Sequence, residues 1–250
     1  MASYLVTGST RGIGFQVVTF LASKPTSEVS KIFAAARKEN EALKKLIESS
    51  SGRVQFVPLE VTSQESVKAA VSTVEVAING KGLDVLINNA GIANFGPQKY
   101  EEMTDLNEHF NINVVGTHNV ISAFLPLLKQ GTSKKVINIT STMGSMAMSA
   151  FFKHQPTPAY KVSKAALNML TVQYSEALEG EGFTVVALCP GWVKTDLGTD
   201  AADLTVEESA NGILEIAERI TTKDNGKYFT VRVPGWEDKP QQYHGGERPW

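Results

Sequence analysis

The chain has 250 residues, 42% hydrophobic and 20% charged, with a net charge of −2. That length holds one large α/β domain or two small ones, and the composition is that of an ordinary soluble globular protein. The charge balance gives no reason to expect nucleic acid or an anionic membrane as partner, and no apolar run reaches the length of a membrane span.

Tyr4, Leu5 and Val6 form a short apolar run leading into Thr7-Gly8-Ser9-Thr10-Arg11-Gly12-Ile13-Gly14, which leaves no room for a signal peptide. A helical pattern follows, with Phe15, Val18 and Leu21 on one side. Strand, glycine turn and helix point backbone N–H groups and a helix N-terminus at a phosphate. The spacing is Gly-x-x-x-Gly-x-Gly, not the commoner Gly-x-Gly-x-x-Gly. A second strand is predicted over Val29 to Ala36, followed by Arg37 and Lys38. The dinucleotide fingerprint places an acid for the ribose 2′-hydroxyl there. A guanidinium at that position suits a 2′-phosphate instead. The alternative is that Arg37 simply opens the charged face of a helix over Lys38 to Glu48.

Val54 to Val61, including Glu60, reads as a third strand. Thr62 to Glu65 reads as a capping box for a helix with apolar Val67, Val71, Val74 and Ile78, ended by Asn79 and Gly80. Asp84 to Asn89 is a buried-type strand, and helical patterning returns from Thr104 to Leu128. Lys135 to Thr140 is a fifth strand ending at Ser141, and Phe183 to Cys189 a sixth ending in Pro190 and Gly191. Thr205 and Glu208 cap another helix, and Lys227 to Val233 is the last strand. The alternation predicts a single α/β domain, a Rossmann-type doubly wound parallel sheet over 1–233, with an irregular tail over 234–250. Cys189, the one cysteine, excludes an intrachain disulfide and suits a reducing compartment, so a cytoplasmic location is expected.

Pro158 precedes Tyr160-Lys161-Val162-Ser163-Lys164 and a run of helix formers. On a helix, Tyr160 and Lys164 lie one turn apart on one face. A phenol with a pKa of about 10 is a poor acid at neutral pH. Bringing it near neutrality takes roughly 4 kcal/mol, about what an ammonium ~4 Å away supplies at an effective dielectric near 20. Lys164 is therefore expected to lower the Tyr160 pKa and equip it as a proton donor. An isolated Tyr-x-x-x-Lys is more often a half-buried tyrosine beside a surface lysine; the rest of the chain argues otherwise.

Thr7 to Gly14, Asn88-Asn89-Ala90-Gly91, Asn113, Ser141, Tyr160 to Lys164 and Pro190 to Thr195 together resemble the short-chain dehydrogenase/reductase family, in its single-domain branch. Gly191 to Asp196 and the final Pro249-Trp250 look most like the sniffer-type carbonyl reductases and fungal ketoreductases. The resemblance implies Asn113, Ser141, Tyr160 and Lys164 as catalytic residues. Tyr160 would protonate the carbonyl oxygen as hydride arrives, and Ser141 would hydrogen-bond that oxygen. Lys164 would hold the nicotinamide ribose, and Asn113 a water linking Lys164 to solvent. The implied cofactor is NADP(H). Gly8, Thr10, Arg11, Gly12, Ile13 and Gly14 would meet its diphosphate side, and Arg37 its 2′-phosphate. Glu60 and Val61 would meet adenine, and Asn89 the adenosine ribose side, with Ala90 and Gly91 beside it. Pro190, Gly191, Val193 and Thr195 would meet the nicotinamide end. Glu60 departs from the family's usual Asp.

The activity implied is NADPH-dependent reduction of a ketone or aldehyde. The partner expected is a small-molecule carbonyl substrate, with no nucleic acid and no membrane; a homo-oligomer is left open. Competing readings are a non-catalytic NADP(H)-sensing protein and a family member turned to non-redox chemistry. His109, His118, His154 and His244 show no metal-ligand spacing, and no metal is expected. Met143, Met146, Met148, Phe151 and Phe152 are either core or an apolar pocket wall, and the wall reading implies a hydrophobic or polyketide-like substrate. Trp236 and Tyr243 in the tail either close over that pocket or lie on the surface.

Overall fold

The structure, a computed structural model, describes residues 1–94, 100–236, 238–239 and 242–250, so residues 237, 240 and 241 of the tail lie outside the described residues. Its strands are β1 (Ala2–Thr7), β2 (Val29–Ala36), β3 (Val54–Pro58), β4 (Val85–Asn88), β5 (Lys135–Ile139), β6 (Thr184–Cys189) and β7 (Tyr228–Thr230). They form one parallel sheet in the order β3-β2-β1-β4-β5-β6-β7.

Strand side chains alternate between two buried clusters. Tyr4, Val6, Ile32, Ala34, Val85, Ile87, Ile137, Ile139, Val186 and Leu188 face one side. Leu5, Phe33, Ala35, Leu86, Val136 and Val185 face the other. A sheet apolar on both faces needs helices on both. One layer is α1 (Gly12–Ser23), Leu43 of α2 (Glu41–Ser49) and α7 (Val206–Arg219). The other is α3 (Gln64–Ile78), α5 (Gly116–Gln130) and the Tyr174 end of α6 (Pro158–Ala177). Because every strand runs the same way, every strand C-terminus lies on one edge. The strand order reverses between β1 and β4, the place at which the loops of such a sheet diverge to form a crevice.

Several boundaries differ from the sequence-based expectation. The helical stretch expected from Thr104 to Leu128 is α4 (Leu106–Phe110), a π-helical turn over Asn111–Val115, and α5. β3 stops at Pro58, so Glu60 and Val61 sit on a loop. There the Glu60 N–H donates to Ser66 Oγ (2.9 Å) instead of to β2. The cap of α3 is Ser63, whose side chain accepts from Ser66 N. Thr62 turns back to give its hydroxyl to Glu60 Oε1 (3.0 Å), so it is no capping box. The capping box expected at Thr205 and Glu208 is present, and Asn79 ends α3 in a left-handed conformation. The tail pairs antiparallel against β7, through the Phe229–Glu247 and Arg232–His244 bridges.

Candidate active site

The glycine turn between β1 and α1 forms one wall of the crevice. A Cβ on Gly14 would lie 2.4 Å from Gly8 O and 2.5 Å from Asn89 Nδ2, so only glycine lets α1 begin against β1 and β4. Asn89 locks this contact, its Nδ2 donating to Thr7 O (3.0 Å) and Gly8 O (3.2 Å). Thr7 Oγ1 accepts the N–H groups of Asn89 and Ala90, both at 3.0 Å. Thr7, which heads the glycine motif but was given no role of its own in it, thus ties the two loops together. Arg11 at the start of α1 makes no side-chain cap, and the first turn carries no acid. The first-turn N–H groups of α1 thus receive no capping side chain, which fits a phosphate. Asn40 Nδ2 holds Thr10 O from the α2 side (2.7 Å), and Ile13 packs into the core beneath the turn.

Further along the crevice, Arg37 follows β2 with its Nε 3.8 Å from Glu60 Oε2. Glu60 is steadied through its other oxygen by Thr62. Val61 packs against Gly116 of α5, and its carbonyl accepts from Asn119 Nδ2 (3.0 Å). Beyond β6, the loop from Pro190 returns over the glycine turn. A Cβ on Gly12 would meet Thr195 Cγ2 at 3.3 Å, and Arg11 pairs with Asp196. Val193 is buried and bridges to Leu204. Both arginines expected to flank a phosphate therefore already have a carboxylate at hand, Glu60 and Asp196. The sequence reading placed neither acid there.

The chemistry-bearing side chains converge where β4, β5 and α6 meet. Pro158 stands in the first turn of α6, and Tyr160 and Lys164 project one turn apart, 8% and 6% exposed. The Tyr160 hydroxyl is hydrogen-bonded to the Ser141 side chain, which follows β5. Lys164 Nζ donates to Ile139 O (2.9 Å) and lies 5.7 Å from the centre of the Tyr160 ring. A Cβ on Gly91 would lie 3.0 Å from Asn113 Oδ1 and 3.6 Å from that Nζ, so the loop after β4 passes close beside both side chains. Burial pushes the Tyr160 hydroxyl well above its ordinary value, with the Ser141 hydrogen bond acting in the opposite sense. Burial lowers Lys164 to about 8. The expected lowering of Tyr160 by Lys164 is thus not met here: desolvation of the phenol dominates, and what opposes it is the Ser141 hydrogen bond.

Asn113, on the π-helical turn, is fully buried. Its Oδ1 accepts from Ile92 N (2.9 Å), and its Nδ2 donates to Ile92 O (3.0 Å) and Ser163 Oγ (2.9 Å). The side chain clamps the loop after β4 onto α6, with both its N–H groups taken and one lone pair of Oδ1 left over. His109, set aside in the sequence as scattered, is fully buried and packs edge-on against the Tyr160 ring (6.4 Å between centres). Its Nε2 accepts from Asn94 N (3.2 Å), which places its proton on Nδ1 beside Asp105 O (2.9 Å). The signal for it was its position four residues before Asn113, on the same helical face.

The short chain dehydrogenase family model matches residues 3–204. An uncharacterized oxidoreductase of Schizosaccharomyces pombe is 34% identical over 245 residues, covering 90% of this chain and 94% of that protein. The short-chain dehydrogenase/reductase atnB of an Arthrinium species is 33% identical over 261 residues, covering 90% and 96%. Among solved structures, NADPH-bound carbonyl reductase from chicken fatty liver superposes with a TM-score of 0.86 at 34% identity, covering 100% of this chain and 99% of that one. Carbonyl reductase Sniffer of D. melanogaster superposes with a TM-score of 0.87 at 28% identity, with both chains fully covered (100%). This chain belongs to the short-chain dehydrogenase family of oxidoreductases.

Proposed function

We propose that this protein is an NADPH-dependent reductase of ketones or aldehydes, with Tyr160 as proton donor and a hydrophobic carbonyl compound as substrate. The observation that carries the reading is the hydrogen bond between half-buried Ser141 and buried Tyr160, with Lys164 one helical turn away. The crevice between the β1 and β4 loops fits a dinucleotide, since Gly14 lets α1 start hard against the β1 loop and the first turn of α1 has neither a side-chain cap nor an acid. Gly8, Thr10, Arg11, Gly12, Ile13 and Gly14 would hold its diphosphate side, with Arg37 at a 2′-phosphate. The NADPH-bound state of the chicken reductase supports the same cofactor here. Bound there, the cofactor supplies hydride.

Ser141 and Tyr160 would receive the substrate oxygen between them, and Tyr160 would give it a proton. A Tyr160 pKa held high by burial is no obstacle in this direction. The oxygen of a reduced carbonyl is more basic than a phenolate, so the proton moves downhill. The reverse reaction would need Tyr160 as a base, which the same burial disfavours. Lys164 would orient the cofactor ribose and, with its lowered pKa, return a proton to Tyr160.

Met146 (72% exposed) and Phe151 (69%) on the loop after β5, and Trp192 (45%) after β6, present apolar surface at the edge where the site lies. That surface supports an apolar substrate over sugars or phosphorylated metabolites. Tyr160→Phe should bind NADPH nearly as the unmodified protein does yet reduce an aromatic ketone more slowly by about 10²–10⁴-fold. Full turnover in that variant would rule the mechanism out.

A further inference from the structure

The loops on either side of the reacting centre are tied to one piece of chain. Residues 242–250 run antiparallel along β7: Val233 N donates to Tyr243 O (2.9 Å), Gly245 N to Val231 O (3.1 Å), and Arg248 N to Tyr228 O (2.7 Å). At one end, the Tyr243 hydroxyl accepts from Trp192 N (3.3 Å) and donates to Asp203 Oδ2 (2.7 Å). Trp192 and Asp203 are the two legs of the loop after β6, which closes on itself through Leu204 N to Trp192 O (2.9 Å) and Lys194 N to Leu204 O (2.8 Å). The Tyr243 ring lies against Gly191, at φ +86°, where a Cβ would meet its Cε1 at 2.9 Å.

At the other end, Trp250 stacks on the buried Tyr228 ring, 5.3 Å between centres. Its carbonyl accepts from Ala147 N (3.0 Å), and the Pro249 carbonyl accepts from Ser145 Oγ (2.8 Å). Ser145 and Ala147 lie just beyond Ser141. Between them and Ser141, Gly144 is pressed so closely on α6 that a Cβ would fall 2.6 Å from the Lys164 carbonyl carbon.

We propose that residues 242–250 are a brace with two separable ends. Tyr243 is a positioning residue for the loop carrying Val193 and Thr195, and so for the cofactor. Trp250 is a positioning residue for the loop behind Ser141, and so for the carbonyl substrate. The Tyr243 end holds its loop by two hydrogen bonds and a ring on Gly191, and the Trp250 end by two hydrogen bonds to its backbone carbonyls beside a ring anchored on Tyr228, so release of one leaves the other in place. This division rests on the reading of the crevice as an NADPH and carbonyl site.

The test uses the 250-residue chain, NADPH titrated by its fluorescence, and an aromatic ketone. Tyr243→Phe should raise the NADPH Kd about fivefold or more, the loss of one or two hydrogen bonds. Its ketone KM at saturating NADPH should stay within about twofold of the unmodified value. Trp250→Ala should do the reverse, raising ketone KM about fivefold or more with NADPH Kd within about twofold. Ser145→Ala decides the second end if Trp250→Ala does not fold. Without any ligand, trypsin should cut after Lys194 faster in Tyr243→Phe, and after Lys153 faster in the variants at the other end. Variants that move both constants together, or neither, or that leave the cleavage pattern unchanged, overturn the brace. An unmodified protein that binds no NADPH overturns the functional reading instead, and the cleavage pattern then still decides the brace.

Discussion

Arg37 leaves β2 with its side chain 78% exposed and its Nε 3.8 Å from Glu60. An exposed pair of this kind contributes only about 0–1 kcal/mol, so a phosphate can readily draw the guanidinium away. Charge-assisted hydrogen bonds to a phosphate are worth roughly 1.5–3 kcal/mol each, so NADPH should be preferred over NADH by more than about tenfold. Arg37→Asp should reverse that preference; equal Kd values for the two cofactors in the unmodified protein would refute it. Lys164 carries a second prediction at this scale. Its folded pKa of about 8 lies below the 10.5 of the free side chain. It is charged below about 8 and neutral above, so kcat/KM for NADPH should be level near pH 6–7 and fall as pH rises through about 8. For stability the sign is opposite. Between about 8 and 10.5 the unfolded chain holds a proton that the folded chain lacks, so this group raises the unfolding free energy with pH in that window.

At the scale of elements, α3 shows how a cap is chosen by what its neighbours need. Thr62 and Ser63 both precede the helix, but Thr62 is taken up by Glu60 while Ser63 accepts from Ser66 N at 3.2 Å. Ser63→Ala should cost about 1 kcal/mol, a fall in Tm of about 2–4 °C for a chain of this size. Thr62→Ala should cost less, since it removes only the contact to Glu60; thermal unfolding giving the opposite order would restore the cap to Thr62. The π-helical turn Asn111–Val115 likewise exists in a stretch whose sequence reads as plain helix. It lies where Asn113 reaches both Ile92 and Ser163, and such turns often mark functional positions.

At the scale of the whole molecule, alternation of apolar runs with amphipathic helices was enough to read a doubly wound parallel sheet, and the strand ends then placed the ligand edge. Tyr160, Lys164, Ser141 and the glycine turn were legible because each depends on spacing within one element or on the end of one strand. What only the tertiary structure decided are relations between segments far apart in the chain. The tail from 242 meets β7 and the loops after β5 and β6. His109 packs under Tyr160, Glu60 and Asp196 face the two arginines, and Thr7 joins loops some 80 residues apart (82 to Asn89). Apart from the helical spacing of His109 to Asn113 and the place of Thr7 at the head of the glycine turn, none of these leaves a periodic or local signal. The pKa of Tyr160 is of the same kind. The spacing of Tyr160 and Lys164 speaks only of charge, which would lower it, whereas the depth of burial, set by the packing of α4, α6 and β5, raises it. Sequence therefore determined which groups stand at the crevice, and packing determined how each is held and how readily it gives up a proton, because desolvation depends on the neighbours that the fold brings from elsewhere in the chain.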